Sequence, residues 1–239
     1  MQPTIIQFGS SATLSIRRKA FLGNKLETKR IKIKTLIICL AAICFVEAAR
    51  WLVTSRNLWN PMTALGATRL LEIILILLVA EIWGKGFPSI GLSQSKIFSG
   101  FRKGLIWSAG FGMLALIGFL VLFLLRIDPL KFIQTPLPAR QQMVLLFFLV
   151  GGIIAPVAEE VFFRGILYGF FRRWGVVVAI VLSTAFFVLP HLGSHGLPIT
   201  QIVGGVLFAI AYELEGNLMT PITIHALGNL AIFTVSLVS

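Results

Sequence analysis

The segment Pro156-Val-Ala-Glu-Glu-Val-Phe-Phe-Arg-Gly165 places two adjacent carboxylates and a guanidinium inside an otherwise apolar run. A charged side chain at bilayer depth costs about 2.5 to 3.5 kcal/mol on insertion scales, so it normally faces a polar cavity and marks function. Glu160 and Arg164 stand at i and i+4 and can pair on one helix face. Glu159 points about 100° away from that pair and is left free for other work. A carboxylate held in an apolar surround is a stronger base than one in water. The competing reading is an interhelical salt bridge that only fixes packing.

The chain has only three histidines. Phe187-Val-Leu-Pro-His191 closes one expected helix, and His225-Ala-Leu-Gly-Asn229 lies within the last. The four-residue spacing puts His225 and Asn229 on one face, a turn apart, so both side chains can reach a single spot between helices. His195, in Gly193-Ser-His-Gly196, reads as a loop residue. Glu47 with Arg50 and Arg69 with Glu72, at i and i+3, stand near expected helix ends, where snorkelling or interhelical pairing explains them.

Residue types exclude several hydrolytic chemistries. An aspartate dyad inside a membrane is ruled out, because the sole Asp is Asp128, beside Pro129 in a loop. There is no His-Glu-x-x-His zinc motif and no Gly-x-Ser-x-Gly nucleophile elbow. Glutamate with histidine remains.

The elements that must position these residues follow from composition. Of 239 residues, 57% are hydrophobic and 13% charged, against about 25% charged in a soluble domain. The apolar residues come in long blocks, 35–53, 70–83, 105–125 and 143–157, and a bilayer crossing needs about 20 such residues. Closed β-barrels read as short alternating segments instead. The expected fold is all-α: a polytopic transmembrane helical bundle of seven to eight helices. Helices are expected at 35–53, 65–83, 104–125, 142–171, 176–189, 199–212 and 218–238, with 95–103 lying on the interface. Pro156 should kink or break the fourth, because it lacks a backbone donor and clashes with the preceding turn. The chain divides into a basic tail, 1–34, N-terminal helices and loops, 35–141, and a C-terminal core, 142–239.

The formal charge is +12, and eight of the 21 Lys and Arg residues (Arg17, Arg18, Lys19, Lys25, Lys29, Arg30, Lys32, Lys34) precede the first apolar block. None follows Arg173. This is the pattern of a multi-pass protein of the cell (inner) membrane with a cytoplasmic N-terminus. The basic run has no aromatic interleaving and no DNA-binding motif, so the expected partner is the lipid bilayer and not nucleic acid. No cleavable signal peptide is expected, since Glu47 and Arg50 stand where a small-residue cleavage site would be. Cys39 and Cys44 are five apart in one helix and cannot pair within it.

Glu159-Glu160-x-x-x-Arg164, Phe187-x-x-x-His191 and His225-x-x-x-Asn229, in that order, resemble the three-motif signature of the CPBP family. That family comprises CAAX proteases and bacteriocin-processing enzymes related to the Ras-converting CAAX prenyl endopeptidase. The resemblance covers about residues 145–237, and Ile90-Gly-Leu92 resembles a less diagnostic family feature. It implies an intramembrane glutamate-dependent endopeptidase acting on a membrane-associated protein or peptide. Glu159 and His191 would activate water, His225 and Asn229 would hold the oxyanion, and Glu160, Arg164 and Phe187 would shape the site. No cofactor is implied, with a divalent metal such as zinc, held by a His/Glu/His/Asn set, as the alternative. A non-catalytic membrane protein of the same fold, for bacteriocin self-immunity or partner binding, is the rival function.

Overall fold

The computed structural model describes residues 31–192 and 198–238. His195 and six of the eight basic tail residues lie outside the described residues. Those described form seven helices and no strand: α1 (Ile33–Ser55), α2 (Pro61–Ile82), α3 (Ile97–Leu124), α4 (Gln141–Trp174), α5 (Val176–Val188), α6 (Ile199–Glu215) and α7 (Met219–Val238). Five of them, α1 to α4 and α7, are long and apolar enough to cross a membrane. At 13 and 17 residues, α5 and α6 are about 20 and 25 Å long at 1.5 Å per residue, short of a ~30 Å hydrocarbon core. Many large apolar side chains point outward, Phe45, Phe98, Phe123, Leu124, Leu145 and Val177 among them. The molecule is an all-α, multi-pass integral membrane protein.

Helix ends follow local chemistry. Pro61, expected in a loop, is the first residue of α2, where its missing N–H costs nothing. Asn60 caps that end, its Oδ1 accepting from the N–H of Met62 at 2.9 Å. Residues 97–103, expected on the interface, are instead the first turns of α3. Gly100 and Gly104 explain this, because they let α3 press directly on α7. A Cβ on Gly104 would stand 2.4 Å from that of Thr223, and one on Gly100 2.5 Å from the amide carbon of Asn217. Close approach at small residues is how helices associate where lipid removes the hydrophobic drive.

Between α2 and α3 the chain folds back into the bundle. Gly91 has φ +82, and a Cβ there would meet the Tyr212 ring at 2.7 Å. Its carbonyl accepts from Leu218 N–H at 3.0 Å, and Ile90 is fully buried beside Gly165. The Ile90-Gly-Leu92 segment thus wedges the start of α7 against α4.

Helix α4 is not broken at Pro156. It widens into π-helical turns at Val150–Ile154 and Val161–Tyr168. The Ala155 N–H bonds five residues back to Val150 O. In that register the next donor, on residue 156, would meet Gly151 O, and proline has none. The Asn229 amide on α7 fills the gap, donating from Nδ2 to Gly151 O at 2.9 Å. A backbone group freed inside a membrane is satisfied by a neighbouring helix, and the helix continues.

Candidate active site

Four helices bring their polar groups to one level of the bundle. α4 supplies Glu159, Glu160 and Arg164; α5 supplies Phe187, and the 3₁₀ turn that follows it, Leu189–His191, supplies His191; α6 supplies Gly205 and Phe208; α7 supplies His225 and Asn229. Glu160 is the hub. Its Oε1 accepts from Arg164 Nη1 at 2.8 Å and lies 2.8 Å from His225 Nδ1. Both Glu160 and Arg164 side chains are fully buried. Arg164 also donates from Nη2 to Gly205 O at 3.0 Å. Its guanidinium lies 4.7 Å over the Phe187 ring and 5.2 Å over that of Phe208. The cation is therefore balanced by one carboxylate, one carbonyl and two aromatic faces.

Glu159 has a different setting. Its Oε2 stands 3.7 Å from His225 Nε2, and its side chain keeps 19% of its surface exposed where Glu160 keeps none. The two ring nitrogens of His225 thus face two carboxylates. A carboxylate can only accept, so Nδ1 carries the proton directed at Glu160. Nε2 then bears a second proton only as imidazolium, the form in which it could donate to an oxyanion. Phe208 stacks on His225 at 4.6 Å and Phe187 meets it edge-on at 5.7 Å, fixing the ring plane.

His191 packs against Phe187, their ring centroids 5.3 Å apart. Its Nδ1 is 2.9 Å from Phe187 O. A carbonyl cannot donate, so Nδ1 carries the proton and Nε2 is an open acceptor. His191 makes no hydrogen bond or ion pair with Glu159. Asn229, a turn beyond His225, spends one amide proton on Gly151 O and keeps the other.

Phe208 and Gly205 escape a search for polar motifs. A Cβ on Gly205 would lie 2.8 Å from Thr184 Cγ2, so the glycine sets the α5 to α6 distance that lets its carbonyl meet Arg164. The only available signal is the Gly204-Gly205 pair in an apolar helix, a mark of close approach. The two i, i+3 pairs of the N-terminal half form one network between α1 and α2, not separate pairs at helix ends. Arg69 Nη1 is 3.0 Å from Glu47 Oε1 and 2.5 Å from Glu72 Oε2, and Arg50 Nη2 is 2.7 Å from Glu47 Oε2. Glu72 is buried, which excludes snorkelling for it. Cys39 is buried, Cys44 exposed, and both are free.

Among the described residues, no three His, Cys, Asp or Glu side chains stand together so as to hold a metal ion. The second carboxylate of the cluster, Glu160, is committed to Arg164 and His225, and the Asn229 amide is turned to Gly151. This donor set does not fit a zinc ion.

Residues 141–231 match the family described as type II CAAX prenyl endopeptidase Rce1-like. The chain is 32% identical over 98 residues to the membrane-embedded CAAX protease MroQ of Staphylococcus aureus (strain USA300), a stretch covering 38% of each protein. It is 25% identical over 165 residues to an uncharacterized 24.3 kDa protein of Escherichia coli, covering 66% of this chain and 73% of that one. The match to MroQ thus spans about two fifths of that protein's length. No solved structure matches the chain. Two carboxylates and a guanidinium on one helix, with two histidines and an asparagine on neighbouring segments, lie within the stretch 141–231 that is similar to the Rce1-like type II CAAX prenyl endopeptidase family.

Proposed function

We propose that the protein is an intramembrane endopeptidase in which Glu159 activates water against a peptide bond of a membrane-associated protein or peptide. The observation that carries this is the unequal environment of two adjacent glutamates. Glu160 is buried with its Oε1 held by both Arg164 and His225, whereas Glu159 is partly open and faces a histidine at a distance no direct hydrogen bond fills. In the reaction Glu159 takes a proton from water, and the hydroxide forms a bond to the scissile carbonyl carbon. His191, with Nε2 open, is the second acceptor for that water. The carbonyl oxygen becomes negative and is held by His225 as imidazolium and by the free amide proton of Asn229. As the tetrahedral carbon collapses, the C–N bond breaks, and the proton held by Glu159 goes to the leaving amine. Glu160 and Arg164 orient His225, and Phe187 packs against both histidines.

The partners are the substrate and the bilayer, with no role for nucleic acid. By the distribution of basic residues, the N-terminus lies in the cytoplasm and the cell (inner) membrane is the site of action. The direct test compares membrane-protein termini in cells making the wild type and Glu159→Gln. A neo-terminus present in the first and lost in the second identifies substrate and activity together. Identical termini in both would leave the non-catalytic partner-binding reading in its place.

Removing one oxyanion donor costs a rate factor of about 10² to 10³ in other hydrolases. Asn229→Ala should lower kcat by about that factor with KM little changed, measured on the identified substrate. A raised KM with intact kcat would assign Asn229 to ground-state binding. Catalysis without metal makes a separate expectation. Activity of the purified protein should survive EDTA and phenanthroline. Stoichiometric zinc, with activity lost on chelation and restored by zinc, would overturn the metal-free scheme.

A further inference from the structure

Two neighbouring arginines end α4 and are treated differently. Arg172 is paired: its guanidinium meets both oxygens of Glu213, at 2.9 and 2.8 Å, and Tyr168 Oη donates to the same carboxylate. Arg173 meets no carboxylate among the described residues. Its Nε donates to Phe170 O at 3.0 Å and its Nη2 to Ile31 O at 2.5 Å. Its guanidinium lies 4.1 Å over the Phe170 ring and 5.4 Å from that of Trp174. The side chain is therefore held in place by neutral groups, with no carboxylate against its charge among the described residues.

Arg173 borders a cavity of about 490 Å³ lined by Lys32, Ile33, Lys34 and itself. Three cations from two elements surround one space, and among the described residues no carboxylate lines it. Lys32 and Lys34 likewise form no ion pair among the described residues. Like charges gathered around a cavity repel one another unless an anion joins them. The place of the cavity indicates which anion. It opens where α1 begins and α4 ends, beside exposed Trp174, a residue type enriched at membrane interfaces. Ile33, in the cavity wall, and Ile37, one turn further along α1, are both exposed on the same helix face. An apolar track thus leads from the cationic cavity along the helix toward the hydrocarbon.

We propose that this cavity is a binding site for the phosphate headgroup of an anionic phospholipid, whose acyl chain lies along Ile33 and Ile37. Phosphate chemistry is what the three cations recognise, with Arg173 offering a fixed guanidinium and the lysines mobile ammonium groups. A free phosphate ion would satisfy the charges but gain nothing from the isoleucines.

The test is native mass spectrometry of the full chain in detergent, titrated with short-chain phosphatidylglycerol, short-chain phosphatidylcholine and inorganic phosphate. Phosphatidylglycerol should bind in preference to phosphatidylcholine. The triple variant Lys32→Gln/Lys34→Gln/Arg173→Gln should weaken it about tenfold or more. Lys96→Gln/Arg102→Gln/Lys131→Gln removes the same charge away from the cavity and should change binding less than about twofold. Lys32→Gln/Lys34→Gln leaves the carbonyl bonds of Arg173 intact and should weaken binding part of the way, even if the triple variant is poorly folded. Equal losses in the two triple variants would mean general charge attraction and overturn the site. Equal binding of both lipids would overturn headgroup recognition. Cavity-dependent binding of inorganic phosphate as tight as that of the lipid would reassign the site to a free phosphate.

Discussion

Glu159→Gln is expected to abolish cleavage while leaving the protein folded, monodisperse in detergent and melting within about a degree or two of wild type. The two halves of this expectation have separate physical origins. Glutamine matches glutamate in shape, and the Glu159 side chain holds no hydrogen bond shorter than its 3.7 Å approach to His225, with 19% of its surface open. Little native structure therefore depends on its charge, and a partly exposed substitution with no committed partner changes stability by about 0.5 kcal/mol or less. The amide cannot take a proton from water at any working pH, so the water attacks unassisted. General-base assistance is worth about 10² to 10⁴ in rate, and a group that also returns the proton to the leaving amine acts in both halves of the reaction. The variant should fall below detection in a terminus-resolved assay. Activity within tenfold of wild type would remove Glu159 from the chemistry. Loss of fold together with activity would make the carboxylate a packing element.

Much of this was legible in residue types and spacing. Apolar blocks and proline positions located all seven helices, and the four-residue spacings of Glu160 with Arg164 and His225 with Asn229 placed each pair on one face. Pro156 was legible only in part. Its missing donor foretells a disturbed helix, but whether the chain bends, breaks or widens depends on what meets the freed carbonyl. The donor is Asn229, 78 residues away on α7, and local propensity carries no information about it. For the same reason Asn229 read as a site residue alone, when half of its amide closes the gap in α4. The start of α3 was misplaced because Lys96, Arg102 and Lys103 look interfacial by charge. What decides the matter is Gly100 and Gly104 meeting Asn217 and Thr223, a fit between distant segments. Aromatic residues were equally opaque: Phe208 reads like its apolar neighbours, yet it stacks on His225.

Glu160→Gln should behave in the opposite way to its neighbour, unfolding the site before chemistry is tested. Glu160 and Arg164 are both fully buried, so removing the negative charge leaves the guanidinium in contact with one carbonyl and two aromatic rings and with only the more distant Glu159 as counter-charge. Breaking a buried pair from one side costs about 3 to 5 kcal/mol, a large part of the roughly 5 to 15 kcal/mol that a domain has. At about 2 to 4 °C per kcal/mol for a chain of this size, the melting temperature should fall by about 6 to 20 °C. The cation–π contacts soften the loss by about 1 to 2 kcal/mol, which favours the lower half of that range. Replacing both partners removes the stranded charge, so Glu160→Gln/Arg164→Met should recover most of the stability, since apolar replacements of buried pairs are often neutral. It should not recover activity to the same degree. His225 Nδ1 would then face a neutral amide in place of a carboxylate, which favours the imidazolium form far less. Thermal melts of the two single variants and the double variant form a cycle. A coupling energy near zero would mean that the two charges are independently solvated and that the pair does not build the site. A large coupling with activity restored in the double variant would show that His225 needs no carboxylate behind it, and the orienting role of Glu160 would fall while its structural role stood.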